Sequence, residues 1–248
     1  MRRLNLPRLF IGVWPDGDKA QGGRLGGRVM FEAMGVHGPV LSPTAALVLD
    51  VLLAGLAFAL LMKPSRHNTG DMAMLATLVV VTSAIRVLMA PLPNVQPVTV
   101  VALLVGARLG AARGVAYAVL VAMLSNAVLG DGWWTLFQAA GWAAVAVAGS
   151  RLDLGTSASP RLNRMAMVSV VAAFGFGLVT NLSLVEPTTG LMTFLSLMVQ
   201  SLPFDAVHAV GNVAFVVWCG PLMMRFLDRI DTSMEHVIEV VERHVIDG

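Results

Sequence analysis

Residues Arg86 to Thr99 read R-V-L-M-A-P-L-P-N-V-Q-P-V-T and separate two strongly apolar runs. Pro91, Pro93 and Pro97 fall within seven residues of this stretch. Proline has no N–H to donate and biases the preceding residue toward extended conformations, so a continuous helix is excluded here. The stretch therefore predicts a stiff, extended connection between two helices.

The connection itself, residues 91–97, is called the proline segment below, and it carries polar side chains but no charge. Asn94 and Gln96, with Thr99 directly after the segment, exchange hydrogen bonds without ionising. Uncharged polar groups on a rigid segment are suited to contacting a small molecule. A tight turn between two membrane spans explains the same residues, so both interpretations stay open at this point.

The composition is that of a membrane protein. Of the 248 residues, 56% are hydrophobic and 13% are charged, and the mean hydropathy is +0.76. A soluble domain carries about 25% charged residues. Apolar runs recur along the chain at the length of a bilayer-spanning helix, which is about 20 residues. We therefore expect a multi-pass, all-α protein in a lipid bilayer, with no nucleic-acid partner.

The apolar runs predict a bundle of six transmembrane helices with one additional N-terminal helix. We expect a loosely ordered extension over residues 1–42, the additional helix over 43–63, the six-helix domain over 71–228 and a cytoplasmic amphipathic tail over 229–248. The six predicted spans cover residues 72–90, 98–109, 114–129, 134–149, 165–185 and 203–226, with a basic turn at 108–113 and a short apolar stretch at 191–199. The capping-box spacing of Thr232 and Glu235 predicts a new helix start in the tail.

The basic residues predict which loops share a side of the membrane. Cytoplasmic loops carry an excess of lysine and arginine. Loops 63–70, 108–113 and 150–164, together with the two terminal regions, hold every one of the 17 lysines and arginines except Arg86. Loops 91–97, 130–134 and 186–202 hold none. This places the proline segment and the turn at 130–134 outside, and the C-terminus in the cytoplasm. Residues 43–63 break this pattern, because a crossing there puts the six basic residues of 1–42 outside. Only Arg24 and Arg28 lie close enough to count against Lys63 and Arg66, so the rule is nearly balanced, and we expect a further crossing rather than a re-entrant or surface helix.

A set of polar side chains is expected to converge on the outer side and bind a substrate. Arg86 is the only basic residue inside an apolar run. It has three possible roles: reaching toward the interface, binding an acidic ligand group, or fixing the proline segment through its carbonyls. Paired tryptophans at a membrane interface are typical belt residues, but they also stack on flat ligands. The candidate substrate-binding residues are Arg86, Asn94, Gln96, Thr99, Asn126, Trp133, Trp134, Thr135, Gln138, Asp205, His208 and Asn212.

Small residues at helical spacing indicate close helix contacts. The candidates for docking a membrane partner are Gly55, Ala59, Ala73, Gly106, Gly110 and Gly114. Spacing of this kind lets helix backbones approach each other, either within one chain or between two subunits. The sequence contains neither a P-loop nor the H-E-x-x-H motif, and it has a single cysteine, Cys219. We therefore expect no ATPase or metalloenzyme activity of its own, and no cofactor.

Three sequence blocks together resemble a known family. They are R-x4-P-L-P-N-V-Q-P-V-T at 86–99, L-V-G-A-R-L-G-A-A-R-G at 104–114 and S-N-A-V-L-G-D-G-W-W-T-L-F-Q at 125–138. In order and spacing they resemble the substrate-binding S components of energy-coupling factor (ECF) transporters, closest to the cobalamin branch, over residues 72–227.

The resemblance implies a six-helix fold in a prokaryotic plasma membrane and a vitamin pocket open to the outside. It also implies a transmembrane T component, two separate cytoplasmic ATPases and transport by toppling of the loaded subunit. The family's small-residue contact with the T component lies on its first helix. Here that helix has only the weaker Ala73 and Thr77, while Gly55 and Ala59 lie in the additional helix.

Two other classes of function remain as alternatives. A membrane-embedded enzyme or assembly factor would use Asp205, His208 and Glu186, which are the only candidates for acid–base groups. A standalone secondary transporter would need coupled ionisable groups near the midplane or inverted repeats, and the sequence has neither.

Overall fold

The computed structural model describes the backbone of residues 31–35, 38–63, 69–186 and 189–246, and the side chains of residues 40–63, 72–186 and 189–228. Within these ranges the chain is a helical bundle with one small hairpin. Strands β1 (Phe31–Gly35) and β2 (Gly38–Leu41) pair antiparallel. Six helices follow: α1 (Pro43–Leu61), α2 (Thr69–Leu88), α3 (Val98–Leu129), α4 (Trp134–Arg151), α5 (Leu162–Asn181) and α6 (Leu191–Ile246).

Four helical stretches are long and apolar enough to cross a membrane. They are Pro43–Leu61, Val98–Leu129, Leu162–Leu184 and Leu191–Asp228, and Met72–Leu88 is a shorter apolar helix. The prediction of a mostly helical bundle is therefore confirmed, and several of its helices are apolar enough to cross a membrane. The structure does not by itself establish six spans and one additional span.

Helix α3 is a hairpin of two arms rather than one straight rod. Gly110 has φ 82° and ψ 168°, which is far from helical geometry. A side chain on Gly114 would lie 2.9 Å from the Cα of Gly106, eight residues earlier, so the chain reverses at Gly110. The predicted turn over residues 108–113 was therefore too long, because helix continues on both sides of this one glycine.

The first arm of α3 packs closely on α4 because both helices present glycines to each other. A side chain on Gly106 would collide with the backbone of Ala146, and one on Gly149 would collide with the backbone of Leu103. Gly114 is buried in the same contact. Gly106 and Gly114 are buried within the chain, so they serve internal packing and do not face a separate subunit. Gly110 is only half-buried and forms the turn, so its contact with a partner stays a prediction.

The N-terminal helix α1 begins at a capped residue and packs on α3. The Ser42 side chain accepts a hydrogen bond of 3.3 Å from the Ala45 N–H, and Pro43 occupies the first turn. Leu53 and Ala57 are buried, whereas much of the remaining apolar surface of α1 is exposed. Gly55 and Ala59 lie on that exposed surface of α1. Ala73 is exposed on α2.

Three further expectations differ from the structure. The backbone of Phe31–Gly35 pairs with that of Gly38–Leu41 as strands β1 and β2, while residues 1–30 lie outside the described part of the chain. The proline segment is a series of turns rather than an extended strip, with Leu92 N donating to Met89 O over 2.8 Å and Asn94 at φ 55°. Helix α6 is continuous from Leu191 to Ile246, with Pro203 in its interior, so neither a break before Pro203 nor a new start at Thr232 occurs.

The helices alternate in direction and produce two chemically different ends. At one end lie the proline segment, the 130–134 turn and the residues leading into α6; we call this the pocket end. At the other end, the Gly110 end, Arg108 forms an ion pair of 3.2 Å with Asp228, and Ser157 N–H donates to the same carboxylate over 3.1 Å. Residues of β2 and α1 line a groove with Trp133, so α1 starts at the pocket end.

Candidate functional site

A cavity of about 370 Å³ opens at the pocket end of the bundle. Its walls come from α2, the proline segment, the second arm of α3, α4, α5 and α6. Seven of the twelve predicted substrate-binding residues line it: Arg86, Asn94, Gln96, Asn126, Trp134, Gln138 and Asp205. The proline segment and one of the paired tryptophans thus face a common hollow.

Arg86 is held by side chains from three neighbouring segments. It stands in the last turn of α2 and is only 7% exposed. Its Nε donates to Gln96 Oε1 over 2.9 Å, and its Nη1 donates to Asn126 Oδ1 over 2.7 Å and to the Ser125 hydroxyl. Its Nη2 donates to Gln138 Oε1 over 3.1 Å. All four acceptors are neutral, so the positive charge is oriented without being cancelled.

The same guanidinium lies over an aromatic face. The Arg86 Cζ is 5.1 Å from the centroid of the Trp142 ring, within the range of a cation–π contact. Trp142 is fully buried and stacks on Phe176, with ring centroids 4.8 Å apart. Phe176 in turn lines the cavity. The aromatic pair therefore connects the cation to the apolar wall.

Asn126 orders the α3–α4 side of the cavity. Its Nδ2 donates to Gln138 Oε1 over 2.8 Å and to Thr135 Oγ1 over 2.7 Å, and Thr135 donates to Asp131 Oδ1 over 2.5 Å. These bonds fix the Asn126 amide so that its oxygen faces Arg86. Thr135 is fully buried behind Asn126 and does not line the cavity. Its role in the structure is to position Asn126.

Four other predicted residues also lie outside the cavity lining. Thr99 and His208 are buried and share a hydrogen bond of 2.9 Å, and Trp142 Nε1 donates to Thr99 over 3.3 Å. Asn212 is buried too and donates to the Ser169 carbonyl over 3.0 Å. Trp133 faces the groove beside α1, where its ring meets Phe137 edge-on at 5.3 Å between centroids. The expected stacking of both tryptophans on one ligand does not fit this arrangement.

Asp205 forms the α6 wall of the cavity. Its Oδ2 accepts a hydrogen bond of 3.0 Å from the Ser201 hydroxyl, one helical turn earlier. The carboxylate packs against Gly177 of α5, where a Cβ atom would overlap Oδ1. The absence of a side chain at Gly177 therefore makes the space for Asp205.

Sequence reasoning missed the α5 side of the site. Phe176, Gly177 and Thr180 line the cavity, as do the apolar side chains of Met89, Leu92, Val95 and Leu129. Each lies in or beside an apolar run, where an aromatic or a glycine is ordinary, so composition alone carries no signal for them. No group of three or more His, Cys, Asp or Glu side chains in the described part of the chain could hold a metal ion.

Residues 66–224 match the profile of DUF6580, which is described as a family of unknown function. Since the match covers more than half of the 248 residues, the chain belongs to this family. Neither the curated proteins nor the solved structures contain a match to the chain.

Proposed function

We propose that this DUF6580 member is the substrate-capture subunit of an ECF-type vitamin uptake transporter, located in a prokaryotic plasma membrane with its C-terminus in the cytoplasm. It binds a small vitamin-like molecule, cobalamin or a related compound, from outside. It delivers that molecule by toppling, together with a T component and two separate ATPase subunits. The single observation that carries the proposal is the cavity at the pocket end, with Arg86 held at its wall.

The cavity supports small-molecule binding by its size and lining. Ligand pockets usually measure about 300–1,000 Å³ and combine apolar walls with a few fixed polar groups. Here Trp134 and Phe176 supply aromatic surface, while Gln96, Asn126 and Gln138 supply polar atoms already oriented by Arg86. Such pre-organisation reduces the entropy lost when a ligand binds.

The distribution of charge supports the proposed orientation. Loops 91–97, 130–134 and 186–202 carry no lysine or arginine, whereas Arg108, Arg151, Arg161 and Arg164 lie at or near the Gly110 end. Positively charged loops remain on the cytoplasmic side of membrane proteins. The cavity therefore opens outward in this proposal. The exposed small residues Gly55, Ala59 and Ala73 are the remaining candidates for contact with the T component.

The geometry favours binding over the enzyme alternative. Asp205 lines the cavity, but His208, its presumed acid–base partner, is buried outside the lining and shares its Nε2 with Thr99. A general acid or base must come within about 2.6–3.2 Å of the proton it transfers. A buried histidine with no access to the cavity does not meet that requirement.

Thermal shift measurements on the purified full chain in detergent test the proposal. The probes are a vitamin panel that includes cobalamin and smaller ring compounds. At 100 times Kd, a ligand that binds only the folded state contributes about 2.7 kcal/mol, or a shift of about 5–10 °C. Gln138→Leu should abolish the shift, because it removes a polar group of the cavity wall. Gln200→Leu is the matched control, since Gln200 is exposed on α6 and bonds only Ser196 in the described structure.

Two results would contradict the proposal. One is the absence of a shift from every vitamin or precursor on the panel. The other is purification of the tagged full chain from its host without ATPase subunits, under conditions in which a known ECF complex stays intact.

A further inference from the structure

The cavity contains two side chains of opposite charge that do not pair with each other. Arg86 lies on the α2 side and Asp205 on the α6 side. Among the described residues, neither Arg86 nor Asp205 takes part in an ion pair within 4.0 Å, whereas the ion pairs Arg108–Asp228 and Arg161–Asp153 lie at the Gly110 end. Arg86 and Asp205 therefore face the same hollow at a separation too large for a salt bridge.

Arg86 retains capacity to donate to a ligand. A guanidinium carries five N–H groups. Four donate to Gln96, Ser125, Asn126 and Gln138, which leaves one hydrogen on Nη2. Because the four acceptors are neutral, the positive charge is uncompensated by any carboxylate among the described residues. An anionic ligand group would supply both the missing acceptor and the missing counter-charge.

Asp205 supplies a negative charge on the α6 side of the cavity. The Ser201 hydroxyl shares its one hydrogen between Oδ2 and the Met198 carbonyl, while Oδ1 lies against Gly177, which also lines the cavity. No lysine or arginine in the described structure reaches the carboxylate. Asp205 is only 5% exposed, and a carboxylate at that depth is costly unless a donor accompanies it. A protonated nitrogen or other strong donor on the ligand would supply that partner.

We infer that the ligand is amphoteric: an anionic group binds at Arg86, and a cationic or strongly donating nitrogen binds at Asp205. The apolar body between them packs on Trp134 and Phe176. This inference rests on the proposed binding function and narrows its substrate class to small molecules of the size of a single ring system with both kinds of group. A corrinoid is too large to be enclosed by the cavity and would project from its mouth.

Three matched probes test the inference on the unmodified protein. 4-(Aminomethyl)benzoate carries both groups, 4-methylbenzoate only the anion, and 4-methylbenzylamine only the cation. Each is titrated by calorimetry alongside the vitamin panel, with panel members sorted by charge. A charged hydrogen bond is worth about 1.5–3 kcal/mol, so the amphoteric probe should bind at least about tenfold more tightly than either single-group probe.

Variants then assign each ligand group to its residue. Asp205→Asn should weaken the amphoteric probe about tenfold or more and leave 4-methylbenzoate unchanged. Arg86→Lys should weaken both carboxylate probes by a clearly larger factor than 4-methylbenzylamine, whose binding reports any general change in the cavity wall that Arg86 holds. Arg161→Gln and Asp153→Asn are matched controls, because they remove the same chemical groups from an exposed ion pair outside the cavity.

The outcomes separate this inference from the proposed function. Strongest binding by neutral or singly charged compounds would overturn the inference and leave vitamin capture standing. Equal loss of all three probes in Asp205→Asn would also overturn it, since the carboxylate would then serve only the structure. No binding by any probe or panel member would overturn both.

Discussion

At the scale of single residues, Arg86 organises the site through neutral partners. Its guanidinium gathers amide oxygens from the proline segment, α3 and α4, and so ties three separate segments to the end of α2. A planar fork with several donors can make these bonds together, whereas an ammonium group cannot. The residue therefore serves structure and, in our proposal, ligand binding at once.

Replacing Arg86 by methionine should destabilise the protein strongly. The Gln96 and Asn126 oxygens would lose their donor, and each buried polar group left without a partner costs about 1–3 kcal/mol. We expect a loss of about 2–4 kcal/mol in the free energy of unfolding, measured by denaturation in detergent, and an intermediate loss for Arg86→Lys. Exposed Arg161→Met is the control. An unfolding free energy equal to that of the native chain would show that the network contributes nothing.

Gly177 and Asp205 should be energetically coupled. In Gly177→Ala the new methyl group would overlap the Asp205 carboxylate, so the melting temperature should fall. In an Asp205→Ala background the same change should cost nothing, because the overlapping atoms are gone. Gly175→Ala on the same helix is the control, since its Cβ would meet no atom within 4 Å. An equal cost of Gly177→Ala in both backgrounds would contradict this packing.

Sequence reasoning found the charged and amide residues of the cavity more readily than its apolar ones. Arg86 and Asp205 stand out in apolar runs because a charge there is costly. Phe176 and Gly177 carry no such signal in a membrane helix. Trp133 and Trp134 were predicted to act together, but they face different grooves. Helical spacing placed His208 and Asn212 near the site, and the proline segment placed Thr99 there, without revealing that all three are buried outside the cavity lining.

At the scale of the elements, two glycines show how backbone conformation shapes the bundle. Gly110 reverses α3, and its φ of 82° with ψ of 168° is a conformation essentially confined to glycine. Gly55 sits in α1 with ordinary helical geometry. A Cβ atom at either position would meet no atom within 4 Å. Alanine would therefore collide with no atom at either position, but only at position 110 would its backbone conformation be strained.

Alanine should have opposite effects at these two positions. Gly110→Ala should lower the free energy of unfolding by about 1–3 kcal/mol, because the turn would be strained. Gly55→Ala should raise it by about 0.5–1 kcal/mol, because alanine is the better helix former. Thermal denaturation in detergent gives both values. A neutral Gly110→Ala would mean that the reversal of α3 does not depend on this glycine.

The ends of helices were predictable where prolines or glycines interrupt an apolar run. The C-terminal end of α2 and the start of α3 follow from the prolines between them. Helix α4 starts at Trp134, shortly after Gly130 and Gly132. The continuity of α6 was not predictable in this way. Pro203 resembles a first-turn proline in sequence, yet it occupies the interior of the helix, where bundle packing outweighs local preference.

At the scale of the whole molecule, the bundle separates loops without lysine or arginine from basic ones. The pocket end contains the proline segment and the 130–134 turn, while the Gly110 end contains the Arg108–Asp228 and Arg161–Asp153 ion pairs. Four helical stretches in the described chain are apolar enough to cross a bilayer. If these helices do span it, the two ends lie on opposite sides.

Labelling of single cysteines in intact cells should report this sidedness. With Cys219 changed to serine, Asn94→Cys and Asp131→Cys should react with a membrane-impermeant thiol reagent, and Ser157→Cys only after lysis. Thr44→Cys should react with the first pair if α1 crosses, because α1 begins at the pocket end. Reaction of positions 94 and 131 from opposite sides would contradict a common cavity face.

Because α6 is continuous, a small movement of the helix at the cavity would also move its far end. Asp205 and Ile246 are on the same helix, and at about 1.5 Å per residue some 60 Å of axis lies between them. A rigid tilt of about 5° around the cavity wall would displace the far tip by about 5 Å, and a bend at Pro221, which lies between the two residues, would change that displacement. Helix α6 therefore contacts the binding cavity near its N-terminal end, and its C-terminal end lies well beyond the Gly110 end of the bundle.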